Sequence, residues 1–289
     1  MNIKKVALVT GSNKGIGLSV VRSLCKKFDG DVFLCARHEQ RGREAVTKLE
    51  SEGLKPKLLC LDISNSATIS AARDFLMQEY DGLDVLVNNA AALIASGKHS
   101  VEIAKETLGV NYFATASVCE ILFPILKPGA RVVNVGSSAG MLMLCPSPVR
   151  QRLSSPTLSG NDIEHMAHEF YRDVESGKVA EKGWPAPHTS YYVAKVFLAA
   201  LTWIQHREFL TDERKDIVIN VVHPGYVITD MTEGRGFLTP EEAATQIIRC
   251  CLITAGGSPR GEMIWWDGRV VDWVRDVIDV CDGPPSNKS

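Results

Sequence analysis

Short runs that are apolar along their whole length alternate with segments of helical apolar spacing. The first run, Val6-Ala7-Leu8-Val9, leads straight into a turn with three glycines, Thr10-Gly11-Ser12-Asn13-Lys14-Gly15-Ile16-Gly17. Residues 15–28 then carry Ile16, Val20, Val21, Leu24 and Phe28 at the spacing of one helix face. Val32–Cys35 reads as a second strand, 39–52 as a charged amphipathic helix, Lys57–Leu61 as a third strand and 66–80 as a helix. Asp84–Val87, a long helical stretch to about 126 and Arg131–Val135 continue the alternation. Strands with no polar face must be covered on both sides, which is the condition of a parallel sheet flanked by helices. Right-handed crossovers then wind the chain into a doubly wound α/β sheet.

The second half keeps the pattern, with a helix over 191–210, a strand over Ile217–Val222, a helix over 240–254 and a strand over Met263–Trp266. Thr239-Pro240-Glu241-Glu242 is a helix start, with Thr as N-cap, Pro at N1 and Glu at N3. One segment breaks the rhythm. Residues 145–187 are rich in Pro, Ser and charge, yet Ile163, Met166, Phe170 and Val174 have helical spacing, so an inserted subdomain with a helix at about 161–176 is expected. The whole chain, 1–289, reads as a single domain, with a disordered polar tail over 283–289.

A hydrophobic share of 45% provides a core, and a net charge of -2 argues against broad binding to nucleic-acid backbones. The apolar run before Thr10 is too short for a signal core or a membrane span. The eight cysteines have no metal-type spacing, and most lie in apolar stretches, as buried free thiols do. The expectation is a cytoplasmic protein. His165 and His168 are three apart on one helix, but they do not form a zinc-binding HExxH pair, so no metal is expected.

A glycine turn between strand and helix lets the backbone approach a pyrophosphate, while the helix N-terminus offers free N–H groups and positive potential. Gly11, Gly15 and Gly17 have the spacing G-x-x-x-G-x-G, with Asn13, Lys14 and Ile16 between them. Proteins that prefer NAD place a carboxylate at the end of the second strand for the ribose 2′-hydroxyl. Here that strand ends in Ala36-Arg37. A guanidinium forks onto a 2′-phosphate, and Lys14 and Arg41 add positive charge nearby, so NADPH is the expected cofactor.

Far downstream, Tyr191-Tyr192-Val193-Ala194-Lys195 puts a phenol and an amine four residues apart, on one helix face. A free tyrosine titrates at about 10 and is a weak acid near neutrality; a cationic neighbour lowers that value. A cradle for a hydride-donating dinucleotide and a sharpened phenol together suit the delivery of a hydride and a proton to a carbonyl. Tyr192 is adjacent, and only the four-residue register to Lys195 selects Tyr191.

Together these motifs resemble the short-chain dehydrogenase/reductase superfamily over nearly the whole chain. Asn88-Asn89-Ala90-Ala91 is similar to its NNAG turn, with Ala91 in place of the glycine. Asn134-Val135-Gly136-Ser137-Ser138-Ala139-Gly140 is similar to N-x-S-S-x-x-G, with Gly136 replacing the first serine. Tyr191 and Lys195 fill YxxxK, and His223-Pro224-Gly225-Tyr226-Val227-Ile228-Thr229 matches the segment that closes over the nicotinamide. The resemblance implies a Rossmann-type fold and a catalytic set of Ser137, Tyr191, Lys195 and Asn111, with Ser138 as runner-up to Ser137. In it Ser137 holds the carbonyl oxygen, Lys195 bonds the nicotinamide ribose, and Asn111 fixes a water that relays protons to Lys195. It also implies cofactor contacts from Asp62 (at the adenine amine), Ile63, Asn89, Ala90, Val110, Pro224, Gly225, Val227 and Thr229.

The long connection before the active-site helix, the NKGIG turn and Gly183-Trp184-Pro185 narrow the likeness to NADPH-dependent carbonyl reductases of the monomeric kind. In oligomeric relatives the helix bearing Tyr and Lys is an interface, and an insertion packed on it would block that contact. Met141, Tyr226, Trp184 and Trp265 either line a substrate pocket or belong to the core; as lining they favour flat apolar carbonyls such as quinones, aromatic ketones and aldehydes. Two alternatives stand beside this reading: a dehydrogenase dedicated to one steroid or terpenoid alcohol, and a non-catalytic NADPH-binding regulator. Carbonyl reductases often carry Cys before Pro-Gly, where this chain has His223.

Overall fold

The computed structural model describes residues 4–93, 100–185 and 189–276. The expected tail, 283–289, and the last two residues of the insertion lie outside the described residues. Eight strands form one sheet: β1 Lys5–Val9, β2 Gly30–Ala36, β3 Lys57–Cys60, β4 Leu83–Asn88, β5 Leu126–Val135, β6 Val218–Val222, β7 Met263–Ile264 and β8 Val270–Val271. Their order is β3-β2-β1-β4-β5-β6-β7-β8. The first seven are parallel, as the doubly wound reading expects, and β8, a strand beyond those read from the sequence, returns antiparallel to β7. Two residues of strand carry no periodicity to read.

The helices are α1 Gly15–Lys27, α2 Glu39–Ser51, α3 Ser66–Tyr80, α4 Val101–Leu108, α5 Ala114–Leu122, α6 Ser147–Leu153, α7 Gly160–Glu175, α8 Thr189–Phe209 and α9 Pro240–Cys251. Strand alternation sends neighbouring side chains to opposite faces. Ala7 and Val9 pack with α1 and α9, while Val6 and Leu8 pack with α3 and α5. Both faces of the sheet are therefore filled, as the apolar strands required.

The long helical stretch ending near 126 is three pieces. A π-helical turn, Gly109–Phe113, separates α4 from α5, and Phe123–Ile125 closes in a 3-10 turn. Val101–Ile125 is apolar and long enough to cross a membrane, but it is half buried inside the protein. The insertion contributes α6 and α7. Ile163, Met166, Ala167 and Phe170 of α7 are buried in a cluster shared with α4 and α8. His165 and His168 point outward from the same helix.

Chain order reverses between β1 and β4, which opens a crevice at the carboxyl ends of those strands. The glycine turn, the Asn88–Ala91 turn and the end of β5 all meet the crevice.

Candidate active site

The glycine turn is sewn to its neighbours by short polar side chains. Ser12 Oγ donates to the Val9 carbonyl (2.7 Å) and accepts from the Cys35 N–H (2.9 Å). Thr10 Oγ1 accepts from the Asn89 and Ala90 N–H groups, and Asn89 Nδ2 donates to the Thr10 and Gly11 carbonyls at 3.0 Å each. Gly11 has φ +59, and a Cβ there would sit 2.7 Å from the Ala90 Cα; at Gly17 it would meet Asn89 Nδ2 at 2.5 Å. Only glycine lets these backbones come so close.

Helices α3, α4, α7 and α9 begin with side-chain caps, from Asn65, Ser100, Ser159 and Thr239. Helix α1 does not: Lys14 at its N-cap makes no capping bond, so its first-turn N–H groups face the crevice without a side-chain acceptor. Beside it lies an open hollow of about 590 Å³ lined by Asn13, Lys14, Gly15, Arg41, Glu44 and Lys48. Arg37 and Arg41 are exposed on the same flank. Asp62 lies at the start of the loop that follows β3. The hydroxyl and N–H of Ser64 hold its carboxyl below the usual range, and Arg37 and His38 reinforce this. Ile16 and Ile63 are part-buried against the cores on either face of the sheet.

At the far side of the crevice, Lys195 is 3% exposed, and its Nζ donates to the Val135 carbonyl at 3.0 Å. The amine lies 5.7 Å from the centre of the Tyr191 ring. Burial pushes its pKa down to about 8. Ser137 follows Val135 by two residues and caps the 3-10 turn Ser138–Gly140, its Oγ accepting from the Ala139 N–H at 3.2 Å. Ser137 is part-exposed and Ser138 buried. A buried ladder joins the elements that carry these residues: Asn88 Nδ2 donates to Asn134 Oδ1 (2.8 Å), and Asn134 Nδ2 donates to Thr202 Oγ1 on α8 (2.9 Å).

The profile of the short chain dehydrogenase family matches residues 5–147. Carbonyl reductase (NADPH) 1 of Rattus norvegicus is 41% identical over 277 residues, covering 93% of this chain and 99% of the rat protein. The chain is a short-chain dehydrogenase/reductase. Two solved structures are 28% identical to it: salutaridine reductase of Papaver somniferum, with a TM-score of 0.82 over 90% of this chain and 99% of that one, and menthone neomenthol reductase of Mentha piperita, with 0.77 over 91% and 99%.

Gly136, where the family pattern has a serine, sits in a crowded spot just past β5: a Cβ would meet Val221 Cγ2 at 2.6 Å. Asn111 lies in the π-helical turn, with Val110 part-exposed before it. Its Nδ2 donates to the Ala92 and Thr107 carbonyls (2.8 and 2.9 Å), and its Oδ1 accepts from the Ala92 N–H (3.2 Å). That amide anchors the turn after Asn89-Ala90. After Pro224, Gly225 has φ +86, and Thr229 reaches the glycine turn, its Cγ2 3.6 Å from where a Gly15 Cβ would stand. Lys14 Nζ is paired with Asp230 at 2.7 Å across the same gap. Val227 is buried and bridges to Leu238.

Met141, Trp265 and Trp184 are buried, whereas Tyr226 is part-exposed. Trp184 packs edge-on against Phe170, with ring centres 5.1 Å apart, and donates its indole N–H to Asp173 (2.8 Å), which commits it to the insertion's own core. Among the described residues no three His, Cys, Asp or Glu side chains converge as a metal site. Ser12, Lys48 and the Asn88–Asn134–Thr202 ladder were given no role in the sequence reading. Lys48 had a usable signal, lying two turns from Arg41 on the same helix face.

Proposed function

We propose that this chain reduces quinones, aromatic ketones and aldehydes to alcohols with NADPH. The observation that carries the reading is Tyr191 paired with a Lys195 amine buried one helical turn away, beside the strand end that bears Ser137. The 41% likeness to a protein named for carbonyl reduction with NADPH supports it.

The residues present fit that dinucleotide. The uncapped start of α1 and the close-packed Gly11, Gly15 and Gly17 receive a pyrophosphate. Arg37 and Arg41, with Lys14, would bind the 2′-phosphate, and Asp62, with Ile63 beside it, would take the adenine amine. Asn89 and Ala90 support the glycine turn, Val110 would sit near the cofactor, and Pro224, Gly225, Val227 and Thr229 would cover its nicotinamide end. Bound NADPH supplies the hydride. Tyr191 gives its phenolic proton to the carbonyl oxygen, while Ser137 donates a hydrogen bond to that oxygen as charge gathers on it. Lys195 holds the ribose hydroxyls and favours the phenolate of Tyr191. Asn111, its amide committed to Ala92 and Thr107, serves the proton relay by fixing the π-helical turn against α8.

Tyr226 borders the substrate, whereas Met141, fully buried in the core, and Trp184, in the packing of the insertion, act from behind the site. Packing of α7 on α4 and α8 supports a monomer, and the free thiols of the seven described cysteines support a cytoplasmic setting. The likeness to reductases of salutaridine and of menthone favours one second reading, a reductase dedicated to a single bulky alicyclic ketone. The test is NADPH oxidation against a panel of quinones, aromatic ketones, aldehydes and terpenoid ketones. Broad turnover supports the first reading and turnover of one ketone alone the second. No turnover despite tight NADPH binding contradicts both and favours a non-catalytic regulator.

A further inference from the structure

The serine turn is held at both ends by side chains from the last third of the chain. His223 follows β6, and its backbone N–H donates to the Ile264 carbonyl (2.8 Å). Its side chain turns inward, and Nδ1 accepts the Ser138 N–H at 3.0 Å. The imidazole is 2% exposed and lies against Trp265, with ring centres 4.2 Å apart. A nitrogen that accepts carries no proton, so this bond requires the neutral ring protonated on Nε2. The N–H it satisfies opens a 3-10 turn, where the turn itself offers no acceptor. Two residues on, Trp273 Nε1 donates to the Gly140 carbonyl at 2.6 Å. Gly140 is pressed against the helix that carries the amine: a Cβ there would sit 2.8 Å from the Lys195 carbonyl oxygen.

We propose that His223 is a positioning residue for carbonyl reduction, its Nδ1 fixing the Ser138 peptide and thereby aiming the Ser137 hydroxyl at the substrate oxygen. Trp273 anchors the other end of the turn. The inference rests on the reading of Ser137 given above. With His223 absent, the Ser138 N–H loses a buried acceptor, and the turn rotates to find another. Displacements of about 1 Å at such a group cost up to roughly a hundredfold in rate.

The experiment compares four variants in steady-state ketone reduction, with NADPH affinity measured separately by fluorescence. His223→Phe keeps an aromatic ring against Trp265 and removes the acceptor; kcat falls about tenfold or more, while NADPH affinity stays within about twofold of wild type. His223→Asn restores an acceptor oxygen near the Nδ1 position and recovers most of the loss. In the double variant, Ser137→Ala with His223→Phe, kcat is no lower than in Ser137→Ala alone, because the histidine acts through that serine. If His223→Phe does not fold, His223→Met carries the same comparison. Wild-type kcat in the folded variant, no recovery in His223→Asn, or additive losses in the double variant would overturn the inference. Full activity of Ser137→Ala would instead overturn the reading of Ser137 on which it rests.

Discussion

The glycine turn and the serine turn both leave the carboxyl end of a parallel strand and both face the crevice, but they are held by different means. The first is fixed by neighbours on β1, β2 and β4: Ser12 on Cys35, Thr10 on Asn89 and Ala90, and a Gly17 that admits no Cβ. The second is fixed by His223 from the end of β6, by Trp273 and by the backbone of Lys195, so two of its holds are ring side chains. A turn built from its own strand neighbours presents one fixed shape to a cofactor. A turn held by two ring side chains is open to adjustment by substitution of either ring.

The sharpest test of this contrast removes the charge that both halves of the chemistry share. Lys195→Met lowers kcat by roughly a hundredfold or more, because the phenol of Tyr191 loses its cationic neighbour. The same variant reports on burial. The folded amine titrates at about 8 against an ordinary 10.5. Between those values the unfolded chain binds more protons than the folded one, so this group adds stability as pH rises through the window. The melting temperature of the cofactor-free wild type should rise relative to Lys195→Met between pH 8 and 10.5. A constant difference would mean that the amine is not desolvated.

Adding one methyl group to each turn should separate binding from turnover. Gly17→Ala collides with Asn89 and Ser12 and weakens NADPH binding, with about 1–3 kcal/mol of lost stability. Gly140→Ala collides with the Lys195 backbone and lowers kcat while NADPH still binds. Titration calorimetry beside steady-state kinetics distinguishes them; identical phenotypes would erase the contrast. Next in size is Arg37→Asp, which gives up a charge-assisted phosphate contact and shifts preference toward NADH by about ten- to a hundredfold in kcat/KM. The smallest change is Asp230→Asn. The exposed Lys14–Asp230 pair is worth little, and freeing Lys14 tightens NADPH binding by about threefold at most.

Most of the sheet was legible because the central stretch of most strands is apolar on both faces and most of the covering helices carry one apolar face. Helix α1 was read as 15–28 and is Gly15–Lys27, and the Thr239 capping box opens α9 as expected. Local chemistry failed where contacts are long-range or too short to be periodic. Strand β8 has two residues, and α6 begins at Ser147-Pro148 within a Pro-rich stretch. The π-helical turn at Gly109–Phe113, which lies against α8, interrupts no periodicity that the sequence shows. In the site, the glycines and the Tyr191–Lys195 register were readable because spacing alone sets them. The embrace of Asn111 by Ala92 was not, nor was the bond from Ser138 to His223, because each depends on a partner that no spacing rule names.

The central claim is that Tyr191 is the proton donor beside a bound reduced dinucleotide. Single-turnover hydride transfer in Tyr191→Phe, with NADPH already bound, tests it most directly. The account predicts unchanged NADPH affinity, transfer slowed by roughly a hundred- to ten-thousandfold and near-normal transfer in Tyr192→Phe. Rapid transfer in Tyr191→Phe together with an inactive Tyr192→Phe would contradict it.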